Sequence, residues 1–164
     1  MSRDDIVAQI PSLNKKYLFY SDYADATINQ IFSGDELKEA LHLQTNLLST
    51  IWLENKGKDG FVMHELPVQA QQSPVFSIAI KDINKDGKPD LILAGNNSYT
   101  RIKFGRFNGS NGTILLNNGK GNFIAANSFT SGLTMPGDVR SLLLLSNKLF
   151  VGVNDAYLQC FEMK

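Results

Sequence analysis

Apolar residues over positions 47–164 occur in short runs that are separated by clusters of Gly, Asn, Asp, Ser and Pro. This pattern is typical of β-strands joined by turns. We predict strands at Phe76–Ile80, Leu91–Ala94, Thr113–Leu116, Phe123–Ala125, Val139–Leu145, Leu149–Val153 and Tyr157–Phe161. The sequence therefore predicts a mainly β protein in this part of the chain.

The preceding part, residues 1–46, has a different pattern and is predicted to be helical. Short helical segments, broken by polar residues, are expected at Asp4–Ile10, Lys15–Phe19, Tyr23–Ile31 and Leu37–Leu43. Ser33 and Glu36 have the spacing of a capping box, and Leu37, Ala40 and Leu41 fall on one face of the helix that would follow. This part is expected to be either an insertion that packs on the β-sheets or a linker from preceding sequence.

The segment Asp82–Asp90 (DINKDGKPD) is predicted to bind calcium. Oxygen-bearing side chains occupy its first, third, fifth and ninth positions, and Gly87 at the sixth can adopt the positive φ that turns the chain around an ion. Ca²⁺ takes roughly six to eight oxygen ligands, and Pro89 favours an extended Lys88 whose carbonyl can face the metal. The predicted ligands are the side chains of Asp82, Asn84, Asp86 and Asp90 and the main-chain carbonyl of Lys88.

The residues after this segment distinguish it from an EF-hand. An EF-hand has a bidentate Glu at the twelfth loop position and a helix leaving the site. Here the twelfth position is Leu93, within the apolar run Leu91–Gly95, which is predicted to be a buried strand. The pattern is therefore strand, calcium loop, strand. The alternative is an Asx-rich turn that binds no ion.

A D-x-[DN]-x-D-G-x-x-D loop between two strands resembles the repeats of the FG-GAP/VCBS family. The similarity covers about residues 47–162 and is strongest over 75–123. This resemblance implies four-stranded blades of a β-propeller, in which calcium links the inner strands. Residues 94–123 are also similar to repeat proteins of the bacterial cell envelope and to secreted ones. The resemblance thus implies an extracytoplasmic location: periplasm, cell surface or secreted.

Two segments of the chain are similar to each other and support the blade interpretation. Leu53–Phe61 (LENKGKDGF) and Leu115–Phe123 (LLNNGKGNF) share leucine, asparagine, glycine, lysine and phenylalanine at matching positions. Each segment predicts a hairpin with a glycine-rich turn. A unit that recurs in this way is typical of propellers and solenoids.

The predicted blades form an incomplete set. Residues 47–66 supply a terminal hairpin, residues 75–126 a full blade with the calcium loop, and residues 139–162 a last blade. The expected fold is a partial β-propeller of about two to two and a half four-stranded antiparallel blades, whereas closed propellers typically have about four to eight. Either the chain is a piece of a longer protein, or several copies complete one another, with self-association through open blade edges.

Composition and motif content exclude several classes of function. The formal net charge is zero, so there is no overall electrostatic footprint for nucleic acid or an anionic membrane. No apolar stretch approaches the length of a transmembrane helix. His42 and His64 lie outside any catalytic motif, and the chain is expected not to be an enzyme.

The single cysteine, Cys160, lies on a predicted apolar strand and is expected to be buried and inert.

The segment from Asn96 to Gly112 interleaves aromatic and cationic residues. Long loops on rigid β-scaffolds often carry binding residues, aromatic rings suit sugar rings, and guanidinium groups suit carboxylates. The alternative is that the aromatic residues cover a sheet edge while the cationic ones face water. The candidate residues for binding a protein or carbohydrate partner are Tyr99, Arg101, Phe104, Arg106 and Phe107.

Two functions from different classes are consistent with these features. The first is a binding or scaffold module, stabilised by Ca²⁺, that presents loops to a protein or glycan partner. The second is a non-catalytic part of a larger extracytoplasmic enzyme, for instance one that acts on polysaccharide.

Overall fold

The computed structural model describes residues 1–127 and 131–163 and divides the chain into two compact units, Met1–Asn46 and Leu47–Lys164. Within the described residues, five short helices lie in the first unit, and nine strands in three antiparallel sheets lie in the second. A mainly β chain with a helical N-terminal segment is therefore confirmed. The arrangement of the sheets as propeller blades stays a prediction.

The first unit consists of short helices around a small apolar cluster. The buried members of this cluster are Ile6, Leu13 and Tyr17. The helices are α1 (Arg3–Gln9), α2 (Leu13–Lys16), α3 (Tyr20–Ala24), α4 (Ile28–Ile31) and α5 (Gly34–Glu39).

The capping box predicted at the start of α5 is confirmed. The Ser33 hydroxyl accepts a hydrogen bond from the Glu36 N–H at 3.3 Å, and the Glu36 carboxylate accepts one from the Ser33 N–H at 2.7 Å. The predicted C-terminal half of this helix is wrong, because Ala40 is already extended and Leu41 is 83% exposed. Since short helices depend on tertiary packing of an apolar face, the helix ends where its apolar residues lose contact with a core.

The second unit contains three meandering sheets. The first sheet pairs β1 (Ile51–Asn55) with β2 (Phe61–Glu65). The second sheet consists of β3 (Val75–Lys81), β4 (Asp90–Gly95), β5 (Thr113–Asn117) and β6 (Phe123–Ala125), in that order. The third sheet consists of β7 (Val139–Leu145), β8 (Lys148–Val153) and β9 (Gln159–Glu162). Each predicted strand is confirmed to within two residues at either end.

The second sheet lies between the other two, and its central strands β4 and β5 are buried on both faces. Ile92 and Ile114 point to one face, where they pack with Leu149 of the third sheet. Leu93 and Leu115 point to the other face, where they form a cluster with Trp52 of the first sheet and with Leu66 and Ala70, which follow β2. Successive residues of a strand point to opposite faces, so the nearly continuous apolar run of β4 serves two interfaces at once.

The hairpin of the first sheet contacts the second sheet mainly through Trp52. Its indole ring lies edge-on to Phe123 of β6, with ring centroids 5.9 Å apart. On its other side the indole stacks on the His64 imidazole at 4.4 Å, and His64 also lies 3.1 Å from a Glu54 oxygen. His64 is therefore a packing residue of this hairpin.

The turns of the two similar hairpins have matching contacts. Asn55 pairs with Phe61 in the first sheet, and Asn117 pairs with Phe123 in the second. In each turn the asparagine side chain accepts a hydrogen bond, 2.8 Å long, from the glycine N–H two residues later. The two turns therefore have the same hydrogen bond, and the repeat itself stays a prediction.

The two outermost faces of the three-sheet stack remain uncovered. Leu53, Phe61 and Met63 are exposed on the first sheet, and Leu143 and Leu145 are each 61% exposed on the third.

The expectation that Cys160 is buried is wrong. Cys160 is exposed, because it pairs with Phe150 on the outward side of the third sheet. Its neighbour Phe161 points inward and packs on the core.

Candidate functional site

The segment Asp82–Asp90 connects β3 to β4 in the second sheet. It therefore lies between two strands, as the sequence predicts. Gly87 has φ +84°, which L side chains rarely adopt, and Lys85 has φ +62°. Two left-handed residues in one short loop fold the chain back on itself. The predicted positive φ at Gly87 is confirmed.

Three predicted ligands converge within this loop. The Asp86 N–H donates to Asp82 Oδ1 and to Asn84 Oδ1, each 3.1 Å from the same nitrogen. The Gly87 N–H donates to the second Asp82 oxygen at 2.8 Å. A carboxylate or amide oxygen retains a further lone pair after accepting one hydrogen bond, so these oxygens can still bind a cation.

Asp86 is held by its neighbours in the ionised form. Desolvation raises the pKa of its carboxyl group, but the hydrogen bonds from the Lys88 N–H and the Asn84 amide and the charge of Lys88 outweigh this, and the pKa lies below that of an ordinary aspartate. The Lys88 ammonium lies 3.3 Å from Asp86 Oδ2. Lys88 thus supplies the counter-charge at the position predicted for a metal.

Asp90 anchors the loop to the sheet. Its side chain has no solvent exposure, and its two oxygens accept 2.8 Å hydrogen bonds from the Ile83 N–H and from the Asn117 N–H at the end of β5. Within residues 1–127 and 131–163 no ion pair involves Asp90. A buried carboxylate without a cationic partner is unusual, and here each of its oxygens accepts a hydrogen bond from a main-chain N–H.

The chemistry of the predicted donor set fits a hard cation. Every proposed ligand is an oxygen atom, as Ca²⁺ requires. In the part of the chain that the structure describes, no group of three His, Cys, Asp or Glu side chains is arranged to hold a metal. The predicted calcium set also includes an amide and a main-chain carbonyl, so that finding does not bear on it.

The second candidate segment, 96–112, starts directly after β4 and is fixed at its base by Asn96. This residue is buried and has φ +83°. Its amide group donates to the Ser110 and Gly137 carbonyls, and its oxygen accepts from the Ser73 hydroxyl and the Ser110 N–H. One side chain therefore joins both ends of the loop to the start of the third sheet.

A buried carboxylate that the sequence did not single out provides a second anchor. Asp138 accepts hydrogen bonds from the Ser98 N–H at 2.9 Å and the Ser98 hydroxyl at 2.8 Å, and it lies 3.5 Å from the Arg140 guanidinium. Desolvation raises the pKa of Asp138, but Ser98, Arg140 and Arg106 together hold it below its usual range. Its position just before a predicted strand is the only sequence signal for this role.

The predicted binding residues lie at the surface beyond these anchors. Tyr99, Phe104 and Phe107 are exposed, as are Arg101 and Arg106. A bridge between Asn97 and Phe107 closes the loop, and the Tyr99 hydroxyl donates to Asp155 at 3.3 Å. The aromatic rings are therefore accessible to solvent, and a binding role for them stays a prediction.

No helix among the described residues is long and apolar enough to span a membrane. Comparison of the chain with protein-family models, with curated proteins and with solved structures gives no match. The FG-GAP/VCBS resemblance therefore stays a prediction, and the function has to be argued from the two loops.

Changing Asp90 to asparagine should destabilise the β-unit even without calcium. The asparagine NH₂ would face a main-chain N–H in place of one oxygen, which leaves a buried donor unpaired. We expect the free energy of unfolding in chelator to fall by about 1–3 kcal/mol, as measured by urea denaturation. The control is Asp59→Asn in an exposed turn, which should change stability little; equal effects would contradict an anchoring role for Asp90.

Proposed function

We propose that this chain is a calcium-stabilised binding or scaffold module rather than an enzyme. The observation that carries the proposal is the convergence of Asp82 and Asn84 oxygens on the single Asp86 N–H. Main-chain donors hold these oxygens on the inner side of the loop before any ion binds. A preorganised oxygen cluster loses little conformational entropy when a cation enters.

The charge balance of the loop supports a cation as its ligand. Asp82, Asp86 and Asp90 bring three carboxylates to one short segment, and Lys88 is the only cation paired with any of them among the described residues. Lys88 and Asp86 are partly exposed, so their ion pair adds little stability. A divalent ion at Asp86 would replace this weak pair and reduce the repulsion between the carboxylates.

Calcium suits this loop better than magnesium. Mg²⁺ requires nearly ideal octahedral geometry and gives up its water reluctantly, whereas Ca²⁺ accepts irregular sets of carboxylate, amide and carbonyl oxygens. The ion would tie β3 to β4 through the loop and, through Asp90, to β5. It would stabilise the folded state by RT ln(1 + [L]/Kd), which is about 2.7 kcal/mol when the ion is at 100 times Kd.

The loop at residues 96–112 is the proposed presentation surface. Its base is rigid because Asn96 and Asp138 fix it, and its exposed side chains are aromatic and cationic. This combination suits a protein or glycan partner that carries carboxylates. An extracytoplasmic location fits the proposal, because extracellular calcium-binding modules typically have dissociation constants of roughly 10⁻⁴–10⁻³ M. A weak site of this kind is filled only where the calcium concentration is comparably high.

Calcium should raise the melting temperature of the wild-type protein, and Asp86→Ala should abolish this rise. Asp86 contributes a proposed ligand, but it lies in the loop and not in a strand. In EDTA, the Asp86→Ala variant should therefore have nearly the same melting temperature as the wild-type protein. The measurement is a thermal melt in EDTA, in millimolar CaCl₂ and in millimolar MgCl₂. The control is Asp59→Ala, which should keep the full calcium response. An unchanged response in Asp86→Ala would disprove the site.

The calcium response should also depend on pH in a defined direction. The folded-state pKa of Asp86 is lowered, so its ionised form stabilises the fold above the ordinary aspartate pKa, and this contribution is lost as pH falls through the lower, folded value. Calcium ligands must be ionised. We expect the calcium-dependent rise in Tm to be constant from pH 7 to about 5 and to be lost only as the pH falls below the ordinary aspartate pKa of about 3.9. A response that vanishes near pH 6 would implicate histidine instead.

Binding of a carboxylated glycan should require the loop but not the ion. We expect carboxymethyl cellulose to retard the protein in affinity electrophoresis, with neutral hydroxyethyl cellulose as the control polymer. The double change Arg101→Gln, Phe104→Ala should weaken retardation about tenfold, as two modest contacts would. Lys58→Gln, in the turn of the first sheet, removes the same charge elsewhere and should have no effect. Equal weakening by both variants would indicate nonspecific charge attraction.

A further inference from the structure

Three asparagine–glycine pairs occur in the second half of the chain, and two of them belong to the loop at residues 96–112. The pairs are Asn108–Gly109, Asn111–Gly112 and Asn118–Gly119. Glycine has no Cβ to shield its main-chain nitrogen, so this nitrogen can attack the side-chain amide carbon of the asparagine before it. Each pair is therefore a candidate site of spontaneous deamidation.

In two of the three pairs the attacking nitrogen is held in a hydrogen bond. The Gly112 N–H donates to the Ser110 hydroxyl at 3.1 Å, and the Gly119 N–H donates to the Asn117 side-chain oxygen at 2.8 Å. The Asn118 side-chain oxygen in turn accepts a 2.8 Å hydrogen bond from the main-chain N–H two residues later. Attack at either pair requires these bonds to break first.

The pair at the tip of the loop has no such protection. In the part of the chain that the structure describes, neither the Gly109 N–H nor the Asn108 side chain makes a hydrogen bond. Both residues are exposed to solvent. Phe107 before the pair and Ser110 after it are each fixed by hydrogen bonds, so the unbonded stretch is confined to these two residues.

Packing explains why a glycine stands at position 109. A Cβ on Gly109 would lie 2.8 Å from the Gln72 carbonyl oxygen, which is closer than van der Waals contact allows. Any larger residue would displace the loop from this contact. The same close approach that requires the glycine therefore also maintains the reactive pair.

We propose that Asn108 is a modification site of this loop, where the chain deamidates ahead of Asn111 and Asn118. The Gly109 nitrogen attacks the Asn108 side-chain carbonyl carbon, and its proton leaves with the side-chain amide as ammonia, which closes a cyclic imide. Water then adds to one of the two ring carbonyls and returns a proton to the nitrogen. The product is aspartate or isoaspartate at position 108.

This reaction changes the charge of the proposed binding loop. Residues 96–112 include Arg101, Lys103 and Arg106 and contain no Asp or Glu. Deamidation adds the first carboxylate to this segment, two residues after Arg106. It therefore weakens the attraction for a carboxylated partner. That effect rests on the proposed function, whereas the reaction itself does not.

The first test is peptide mapping by mass spectrometry after incubation of the folded chain at neutral pH. Deamidation is measured as the gain in mass when the NH₂ group becomes OH. We expect Asn108 to react about two- to tenfold faster than Asn111 and Asn118, the factor to which one hydrogen bond of ordinary strength corresponds. In urea the three rates should become similar. Equal rates in the folded protein, or the same order in urea, would overturn the proposal.

Ser110→Ala provides a matched variant, because it removes the acceptor of the Gly112 N–H. The bonds between residue 110 and Asn96 use main-chain groups of residue 110 and remain. We expect deamidation at Asn111 to accelerate about two- to tenfold, with no change at Asn118. Circular dichroism establishes that the variant is folded. No acceleration at Asn111 would contradict the protection on which the order of the three sites depends.

Asn108→Asp reproduces the new charge and tests its effect on binding. It should weaken retardation by carboxymethyl cellulose about two- to threefold, as the loss of one exposed charge interaction would. Asn118→Asp adds the same charge in the β5–β6 turn and should have no effect. Equal weakening by both variants would refute the effect on the loop. Absence of retardation in the wild-type protein would refute the proposed function and leave the mass-spectrometric result unaffected.

Discussion

Burial of strands β4 and β5 on both faces is the constraint on which the rest of the β-unit depends. Ile92 and Leu115 point to opposite faces, and neither has measurable solvent exposure. At about 25 cal/mol per Å² of apolar surface, this double burial is the main source of stability for a unit whose outer sheets have two and three strands. A sheet fixed from both sides gives its connecting loops a rigid base.

The two candidate loops lie at opposite ends of the same buried strand. Asp90 is the first residue of β4 and holds the calcium loop, while Asn96 follows its last residue and holds the aromatic loop. Both anchors are buried polar side chains that bond to main-chain groups, and Asn96 also accepts a hydrogen bond from the Ser73 hydroxyl. About 20 Å of strand separates the two anchors. Strand β5, which the second loop enters at Thr113, also reaches Asp90 through the Asn117 N–H.

The sequence predicted the features that depend on neighbouring residues, such as strands and the calcium loop. It missed the features that depend on contacts between residues far apart in the chain. Strand positions and the Asp82–Asp90 loop follow from apolar runs and the spacing of oxygen ligands within a few residues. The bond between Ser98 and Asp138 joins residues 40 positions apart, and no local pattern indicates such a pairing. Cys160 was misplaced for a related reason: an apolar strand shows that one face is buried, but only the stacking order of the sheets shows which face.

The contact between Trp52 and Phe123 gives the molecule an internal optical reporter. Trp52 is the only tryptophan of the chain, and it lies where the first sheet meets the second. Its emission therefore follows the detachment of that hairpin, while the far-ultraviolet signal follows the strands as a whole.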